Sequence, residues 1–123
     1  MISFILPAYN EAKLIGETLR AINKFSPNED YEIIVSDNKS TDDTAKIAAS
    51  FGAIVVESHD STISGVRNTA VQNSKGDILV FLDSDVRITK QWQSSISQVI
   101  KELRQEPNQI TGFRCMPPEN GFW

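Results

Sequence analysis

The sequence is poor in the features that mark several common classes of protein. Its 123 residues include one cysteine and one histidine, Cys115 and His59, too few for an internal disulfide or a Cys/His zinc site. Twelve Lys and Arg residues stand against sixteen Asp and Glu residues, a net charge of −4. Nucleic-acid binding is therefore not expected, because it needs a basic excess. No apolar run approaches the roughly 20 residues of a membrane span, so no transmembrane segment is expected.

The rest of the composition is that of an ordinary globular domain. Hydrophobic residues make up 40% of the chain and charged residues 23%. At this length we expect a single domain over residues 1–123, large enough to bury a core. The lone cysteine suits a reducing compartment, which predicts a cytoplasmic protein.

The most informative stretch is a short apolar run that ends in two acids. Residues 76–87 read GDILVFLDSDVR. The unbroken run 78–82 predicts a strand buried on both faces, as in parallel sheets covered by helices. Ligands of such sheets bind at the carboxyl ends of the strands, where Asp83 and Asp85 would lie. Their hard oxygen atoms suit Mg²⁺ or Mn²⁺, although a lone Asp-x-Asp is more often a solvated turn or a helix cap.

Strand-like and helix-like patterns alternate along the chain. Apolar runs predict strands at 2–6, 31–35, 53–56 and 78–82, with a candidate fifth strand at 109–114. Helical spacing predicts helices at 11–24, from a cap at Ser40 or Thr41 to Gly52, at 62–73, and from a cap at Thr89 to Pro107. In the third helix we expect Ile63, Val66 and Ala70 to face the core. The alternation predicts a Rossmann-like three-layer α/β/α fold with a mostly parallel sheet in the order 3-2-1-4.

This topology brings polar residues from four strand ends to one edge of the sheet. The residues are Asn10 and Glu11, Asp37, the segment 57–60, and the pair Asp83 and Asp85. One acid at a strand end is routine. Polar and acidic residues at all four ends predict a functional site.

Five short motifs stand in an order that resembles the family 2 glycosyltransferases. They are PAYNE (7–11), DNKSTDDT (37–44), GVRN (65–68), GD (76–77) and DSD (83–85). The resemblance covers the chain from Ile2 to about Leu103. It implies the GT-A fold of the nucleotide-diphospho-sugar transferases and an inverting transfer of a sugar, with a tendency toward UDP-sugar donors, to an acceptor hydroxyl. A divalent metal, Mn²⁺ or Mg²⁺, would neutralise charge on the leaving diphosphate.

The resemblance also implies roles for single residues. Asp85 and Asp83 would hold the metal, and Asp83 would also face the ribose or sugar. Asp37 would accept a hydrogen bond from the base edge, and Arg67 would help to hold the nucleotide or sugar. The other donor-site residues implied are Pro7, Ala8, Tyr9, Glu11 and Ser84.

Several of these residues have plainer interpretations. Tyr9 would also suit a core aromatic with a wet tip, and Glu11 the first turn of a helix. Most helix arginines are surface groups, which applies to Arg67. Asp42 and Asp43 are interpreted as helix caps and not as site residues.

Two departures from the family pattern bear on function. The family commonly has DDGSTD after its second strand, whereas this chain has DNKSTD, which leaves the donor preference open. Inversion also needs a general base. The acids that follow Asp85 are Glu102, Glu106 and Glu119, and none of these three is convincing as that base. We therefore expect the base to lie beyond Trp123, and the chain to be the nucleotide-sugar-binding half of a longer enzyme whose acceptor half is missing.

Other functions are compatible with the same residues. A non-catalytic nucleotide-sugar-binding module, or an inactive remnant, would need no general base. A haloacid-dehalogenase-like phosphotransferase also carries Asp-x-Asp after an apolar strand, with Asp83 as its nucleophile, but on its first strand. The sequence leaves open the sugar, the oligomeric state and the acceptor, which could be a polysaccharide, a lipid carrier or a small molecule. It also leaves open a place at the inner face of the membrane.

Overall fold

The computed structural model of the protein describes residues 1–106 and 108–113. Strands and helices alternate along this part of the chain. The strands are β1 (Ile2–Ala8), β2 (Tyr31–Asp37), β3 (Ile54–Glu57) and β4 (Ile78–Phe81). The helices are α1 (Ile15–Phe25), α2 (Thr44–Ser50), α3 (Ile63–Gln72) and α4 (Lys90–Gln105). The predicted alternation is confirmed.

The four strands form a parallel sheet in the order β3-β2-β1-β4, which confirms the predicted order. β1 lies beside β2 along its full length, from the pair Ile2 and Tyr31 to the pair Ala8 and Asp37. On its other side, β1 pairs with β4. Because parallel strands end at the same edge, the loops that follow β1, β2, β3 and β4 meet there.

Helices cover both faces of the sheet, as the predicted three-layer arrangement requires. The larger apolar cluster joins β1 and β2 to three helices, with Phe4 in β1, Leu19 in α1, Ala48 in α2 and Ile96 in α4 fully or almost fully buried. A smaller cluster on the opposite face joins these two strands to α3: Ile5, Ile34 and Ala70. Side chains of a strand alternate between faces, so β1 serves both clusters.

β4 is less buried than its sequence predicts. Its side chains alternate, with Ile78 buried while Leu79 is 37% exposed and Phe81 is 50% exposed. The expectation that this strand is buried on both faces was therefore wrong within the described chain. The reason is that α3 packs over β1, β2 and β3, and β4 lies at the edge of the described sheet.

The helix ends depend on contacts that the sequence pattern does not reveal. α1 begins at Ile15 and not at Glu11, and α2 begins at Thr44 after Asp43, so neither Ser40 nor Thr41 caps it. Gly52 closes α2 as predicted. Its φ is +82°, and the backbone N–H groups of residues 52 and 53 return to carbonyls of the last turn.

Only part of what the sequence predicts after β4 falls within the described residues. Thr89 caps α4 as predicted, accepting a hydrogen bond from the Trp92 N–H at 3.3 Å. The predicted fifth strand is wrong over 109–113, where the chain is irregular. Pro107 and residues 114–123, with Cys115 and Glu119, lie outside the described residues. Within those described, no helix combines the length and the apolar character needed to cross a bilayer.

Candidate functional site

A cleft of about 600 Å³ opens where the parallel strands end. The loops after β1 and β4 and the first turns of α3 form its walls. All but one of the predicted site residues line it: Pro7, Ala8, Tyr9, Glu11, Arg67, Asp83, Ser84 and Asp85. The exception is Asp37, which does not line the cleft although its neighbour Asn38 does.

The cleft also has lining residues that the sequence did not predict. They are Asn38, Ser61, Thr62, Ile63 and Val66. Ile63 follows the spacing of the buried residues of α3, so its periodicity predicts a core position. It is 58% exposed, because it is the first residue of α3 and lies at the cleft. The sequence signals that point to this wall are the GVRN motif with Arg67 and the polar cluster at 57–60, and neither singles out these residues.

The loop after β1 carries Tyr9 and Glu11 into the cleft. Tyr9 is 59% exposed, so the alternative of a core aromatic is wrong. Asn10 between them has a left-handed backbone, with φ +50°. Glu11 precedes α1, and its backbone carbonyl accepts hydrogen bonds from the N–H groups of Leu14 and Ile15.

The segment after β2 holds that loop in place through hydrogen bonds. Asn10 N–H donates to Ser40 Oγ at 2.9 Å, and Thr41 N–H donates to Asn10 Oδ1 at 2.8 Å. Further along, the backbone N–H groups of residues 11 and 12 donate to side chains of this segment. A strained left-handed residue persists only where its surroundings hold it, and these contacts do so.

Asp37 lies at the buried end of β2, only 8% exposed. Its Oδ2 accepts a hydrogen bond from the Ser40 N–H at 3.2 Å. Its Oδ1 is buried and has no partner among the described residues. Buried polar atoms in native proteins are usually paired, so this oxygen has unmet hydrogen-bonding capacity directly behind the cleft residue Asn38.

Arg67 and Asp83 form an ion pair inside the cleft. Arg67 Nη2 donates to Asp83 Oδ1 at 2.7 Å, and the side chains are 35% and 59% exposed. Arg67 Nε is buried and has no partner in the described part of the chain. Arg67 is therefore not a free surface group, and the first acid of the DSD motif is held by a cation.

The DSD turn is anchored from below by α1. Thr18 is fully buried, and its hydroxyl donates to the backbone carbonyl of Ser84 at 2.7 Å. Ser84 is itself 6% exposed. Asp85 is exposed and makes no hydrogen bond or ion pair with the described residues. Its carboxylate is thus presented to the cleft on a fixed turn.

The donor atoms of this turn fit a hard divalent cation. Asp83 and Asp85 supply carboxylate oxygens, which Mg²⁺ and Mn²⁺ prefer. No group of three or more His, Cys, Asp or Glu side chains converges anywhere in residues 1–106 and 108–113. A metal held here would need water and substrate phosphate oxygens to complete its shell, as is usual for Mg²⁺ at phosphate sites.

The wall formed by α3 depends on a glycine. Thr62 caps the helix, and Asp60 accepts hydrogen bonds from both the N–H and the hydroxyl of Thr62 at 3.0 and 2.9 Å. These bonds lower the pKa of Asp60. A Cβ at Gly65 would lie 1.9 Å from the carboxyl carbon of Asp60, so only glycine leaves room for this carboxylate.

A second cleft, of about 450 Å³, lies between the loop after α1 and α4. None of the predicted site residues lines it. Its main cation is Arg104, which donates to Asp77 Oδ2 at 2.7 Å and to Glu29 Oε2 at 2.8 Å. These hydrogen bonds hold the pKa of Asp77 well below its usual range and raise that of Arg104. We interpret this cluster as structural.

The comparison with known families decides the identity of the chain. A family model described as "Glycosyl transferase family 2" matches residues 3–121. The chain belongs to this family. The resemblance seen in the motifs is thereby confirmed, and the haloacid-dehalogenase alternative is not supported.

The relatives of this family 2 chain are longer than the chain itself. It is 38% identical over 98 residues to glycosyltransferase AglE of Haloferax volcanii. That match covers 74% of this chain and 32% of AglE. The chain thus spans about a third of the length of this relative.

Two solved structures share the fold of this chain. Staphylococcus aureus TarS 1–349 in complex with UDP-GlcNAc matches with a TM-score of 0.67 and 32% identity, covering 84% of this chain and 32% of TarS. Glucosyl-3-phosphoglycerate synthase of Mycobacterium tuberculosis, in complex with Mn²⁺, UDP and glucosyl-3-phosphoglycerate, matches with a TM-score of 0.67 and 29% identity. That match covers 84% of this chain and 39% of the synthase. The predicted GT-A fold class is confirmed.

Proposed function

We propose that this family 2 domain binds a nucleoside diphosphate sugar, specifically a UDP-sugar, as the donor half of an inverting glycosyltransferase. The carrying observation is that loops from β1 and β4 meet in one cleft, where Tyr9 lies with the carboxylates of Asp83 and Asp85. Ligands of open parallel sheets bind at this edge. The UDP-GlcNAc bound to TarS and the UDP bound to the mycobacterial synthase support the choice of nucleotide.

The nucleoside end of the donor would bind near β1 and β2. Tyr9 offers an exposed ring on which a base can stack, and Pro7 and Ala8 line the cleft beside it. The unpartnered Oδ1 of Asp37 is available to accept a hydrogen bond from the base edge. Glu11 would complete this side of the pocket. Burial without a partner makes the Asp37 oxygen a strong acceptor for such a contact.

The diphosphate end would bind near Asp83, Ser84 and Asp85. These two carboxylates would hold Mn²⁺ or Mg²⁺, which supplies positive charge where the leaving diphosphate becomes more negative. Arg67 provides a second positive charge in the same cleft. Its pairing with Asp83 orients the guanidinium before a donor arrives.

The transfer itself would need residues outside the described chain. The acceptor hydroxyl oxygen attacks the anomeric carbon, the bond from that carbon to the diphosphate oxygen breaks, and the hydroxyl proton passes to a general base. The acids lining the cleft are Glu11, Asp83 and Asp85, and each already has a donor role here. We therefore assign the base and the acceptor site to the remainder of a longer protein, since the match with AglE covers only 32% of that relative.

The acceptor and the location belong to the same proposal. The acceptor is a polysaccharide, a lipid carrier or a small molecule. We propose a cytoplasmic location, with the inner face of the membrane as the alternative that suits a lipid-carrier acceptor. A non-catalytic module that only binds the donor is the second candidate function, favoured by the lack of a spare acid among the residues that line the cleft.

Calorimetric titration of UDP and GDP tests the donor assignment. We expect UDP to bind in the presence of Mn²⁺, to bind much more weakly in EDTA, and to bind more tightly than GDP. Preference for GDP would overturn the choice of nucleotide, and binding unaffected by EDTA would overturn the metal. Binding of neither nucleotide to the chain, or to a longer protein that contains it, would overturn the donor proposal itself.

A further inference from the structure

Thr44 and Asp42 join the segment after β2 to the loop after β1. Thr44 is the first residue of α2 and is fully buried. Its hydroxyl oxygen accepts a hydrogen bond from the Glu11 N–H at 2.8 Å and donates its own proton to Asp42 Oδ1. A hydroxyl has one proton, so donation to Asp42 turns the oxygen lone pairs toward Glu11.

The carboxylate of Asp42 binds both loops at once. Oδ1 also accepts from the Thr44 N–H at 3.0 Å, while Oδ2 accepts from the Ala12 N–H at 3.1 Å. These hydrogen bonds hold the pKa of Asp42 below its usual value. The capping interpretation of Asp42 is correct for the bond to Thr44, but it misses the bond to Ala12, thirty positions away along the chain. Asp43, the N-cap of α2, makes no side-chain cap bond.

Neither Thr44 nor Asp42 lines the cleft. They bind the backbone of residues 11 and 12, directly after the strained Asn10. Tyr9 and Glu11 on either side of Asn10 do line the cleft. The positions of these two side chains therefore depend on a hydroxyl and a carboxylate that a bound donor would not touch.

We propose that Thr44 and Asp42 are positioning residues for donor binding, holding the loop of Tyr9 and Glu11 in the shape that receives the nucleoside. The inference rests on the proposed donor site. It predicts that removing the Thr44 hydroxyl or the Asp42 carboxylate weakens nucleotide binding without touching the nucleotide. Loss of one such hydrogen bond corresponds to a fall in affinity of up to about tenfold.

The chain offers closely matched variants for the test. Asp42→Ala is compared with Asp43→Ala, because both acids are exposed, adjacent and equally charged. Thr44→Val removes the hydroxyl at nearly constant volume, and Thr44→Ser restores it. Thr69→Val controls for the loss of a threonine hydroxyl elsewhere, since Thr69 donates to the Gly65 carbonyl within α3.

UDP affinity is measured by calorimetry with Mn²⁺, first for the unchanged protein and then for each variant, with amide hydrogen exchange followed at Glu11 and Ala12. We expect Asp42→Ala and Thr44→Val to bind UDP up to about tenfold more weakly, with faster exchange at these amides. Thr44→Ser, Asp43→Ala and Thr69→Val should bind like the unchanged protein.

The outcomes separate this inference from the donor proposal. If the unchanged protein does not bind UDP, the donor proposal fails. If it binds and Asp42→Ala binds equally well, the positioning role fails alone. A Thr44→Ser variant as weak as Thr44→Val would also overturn the role of the hydroxyl. Should Thr44→Val not fold, the exposed pair Asp42→Ala and Asp43→Ala still decides the question.

Discussion

Arg67 donates a hydrogen bond to Asp83 at 2.7 Å, while Asp85, two residues further on, has no partner among the described residues. The two acids of one motif are therefore not equivalent. The carboxylate of Asp83 is paired with a cation, and the carboxylate of Asp85 is free to attract one.

This asymmetry predicts effects of opposite sign when Arg67 is replaced. Arg67→Met removes a positive charge from beside two carboxylates, so affinity for Mn²⁺ alone should rise by a few-fold. Affinity for UDP in the presence of Mn²⁺ should fall by about tenfold, as expected when a charged hydrogen bond to phosphate is lost. Electron paramagnetic resonance measures free Mn²⁺, and calorimetry measures UDP.

The control for Arg67 is Arg20→Met, because Arg20 lies over the ring of Phe51 and does not line the cleft. It should change neither affinity. Equal weakening of Mn²⁺ and UDP binding in Arg67→Met would contradict the prediction, since it would mean that Arg67 only supports the local structure.

Asp85→Asn should abolish the dependence of UDP binding on metal. The amide has the size of the carboxylate but lacks its charge, so a hard cation loses its free ligand. The fold should be unaffected, because Asp85 is exposed and unpaired within the described chain. UDP titrations with Mn²⁺ and with EDTA, together with the melting temperature, check both statements. Metal-dependent binding as strong as in the unchanged protein would remove Asp85 from the metal site.

Gly65→Ala should destabilise the domain, although alanine is the better helix former. The new methyl group would occupy the place of the Asp60 carboxylate and disrupt its bonds to Thr62. The clash, together with the loss of the two hydrogen bonds that hold the cap residue Thr62, should outweigh the gain in helix propensity of at most about 1 kcal/mol. Thermal denaturation measures the change.

The effect of Gly65→Ala on stability should change from destabilising to stabilising when the Asp60 carboxylate is removed. In an Asp60→Ala background, Gly65→Ala should stabilise α3 by up to about 1 kcal/mol through helix propensity alone. Gly112→Ala is a second reference, because nothing lies within 4 Å of the added Cβ. Destabilisation of the same size in both backgrounds would refute the steric explanation.

Acid should weaken the ion-pair cluster of Arg104, Asp77 and Glu29, which lies at the end of the sheet opposite the cleft. Hydrogen bonds from Arg104 and the N-terminal amine hold the pKa of Asp77 below its usual value. The contribution of Asp77 to the free energy of unfolding is therefore complete at pH values above the usual carboxyl range. It is lost as the pH falls through that range toward the lowered pKa. The difference in melting temperature between the unchanged protein and Asp77→Asn should be constant above about pH 5 and shrink below about pH 4. A difference that keeps its full size down to about pH 2 would exclude this origin.

The fold was predictable from sequence because each strand end is marked locally. Apolar runs such as 78–82 and turn residues such as Gly52 carry their own signals, and alternation of strands and helices leaves few topologies. The exposure of Phe81 was not predictable, since it depends on which helix covers which strand. The fifth strand failed because a strand also needs a neighbour to pair with, and periodicity does not supply one.

The candidate site was predictable in its members but not in its connections. Tyr9 and Asp85 follow strands, and Arg67 lies on α3. The strand order places all three at the same edge of the sheet. The bond from Ala12 to Asp42 joins segments about thirty residues apart, and local capping preferences describe Asp42 equally well without it. Long-range hydrogen bonds of this kind leave no periodic trace in the sequence.

The uncovered side of β4 has a practical consequence for handling the domain. Leu79 and Phe81 place two large apolar groups beside an open strand edge of the described sheet. Such edges template pairing between molecules, so a concentrated sample of this chain by itself is expected to self-associate and to lose titratable material during long measurements. Phe81→Lys would place a charge on this uncovered face beside the edge and should keep the sample monodisperse, and Phe81 is not among the residues that line the cleft.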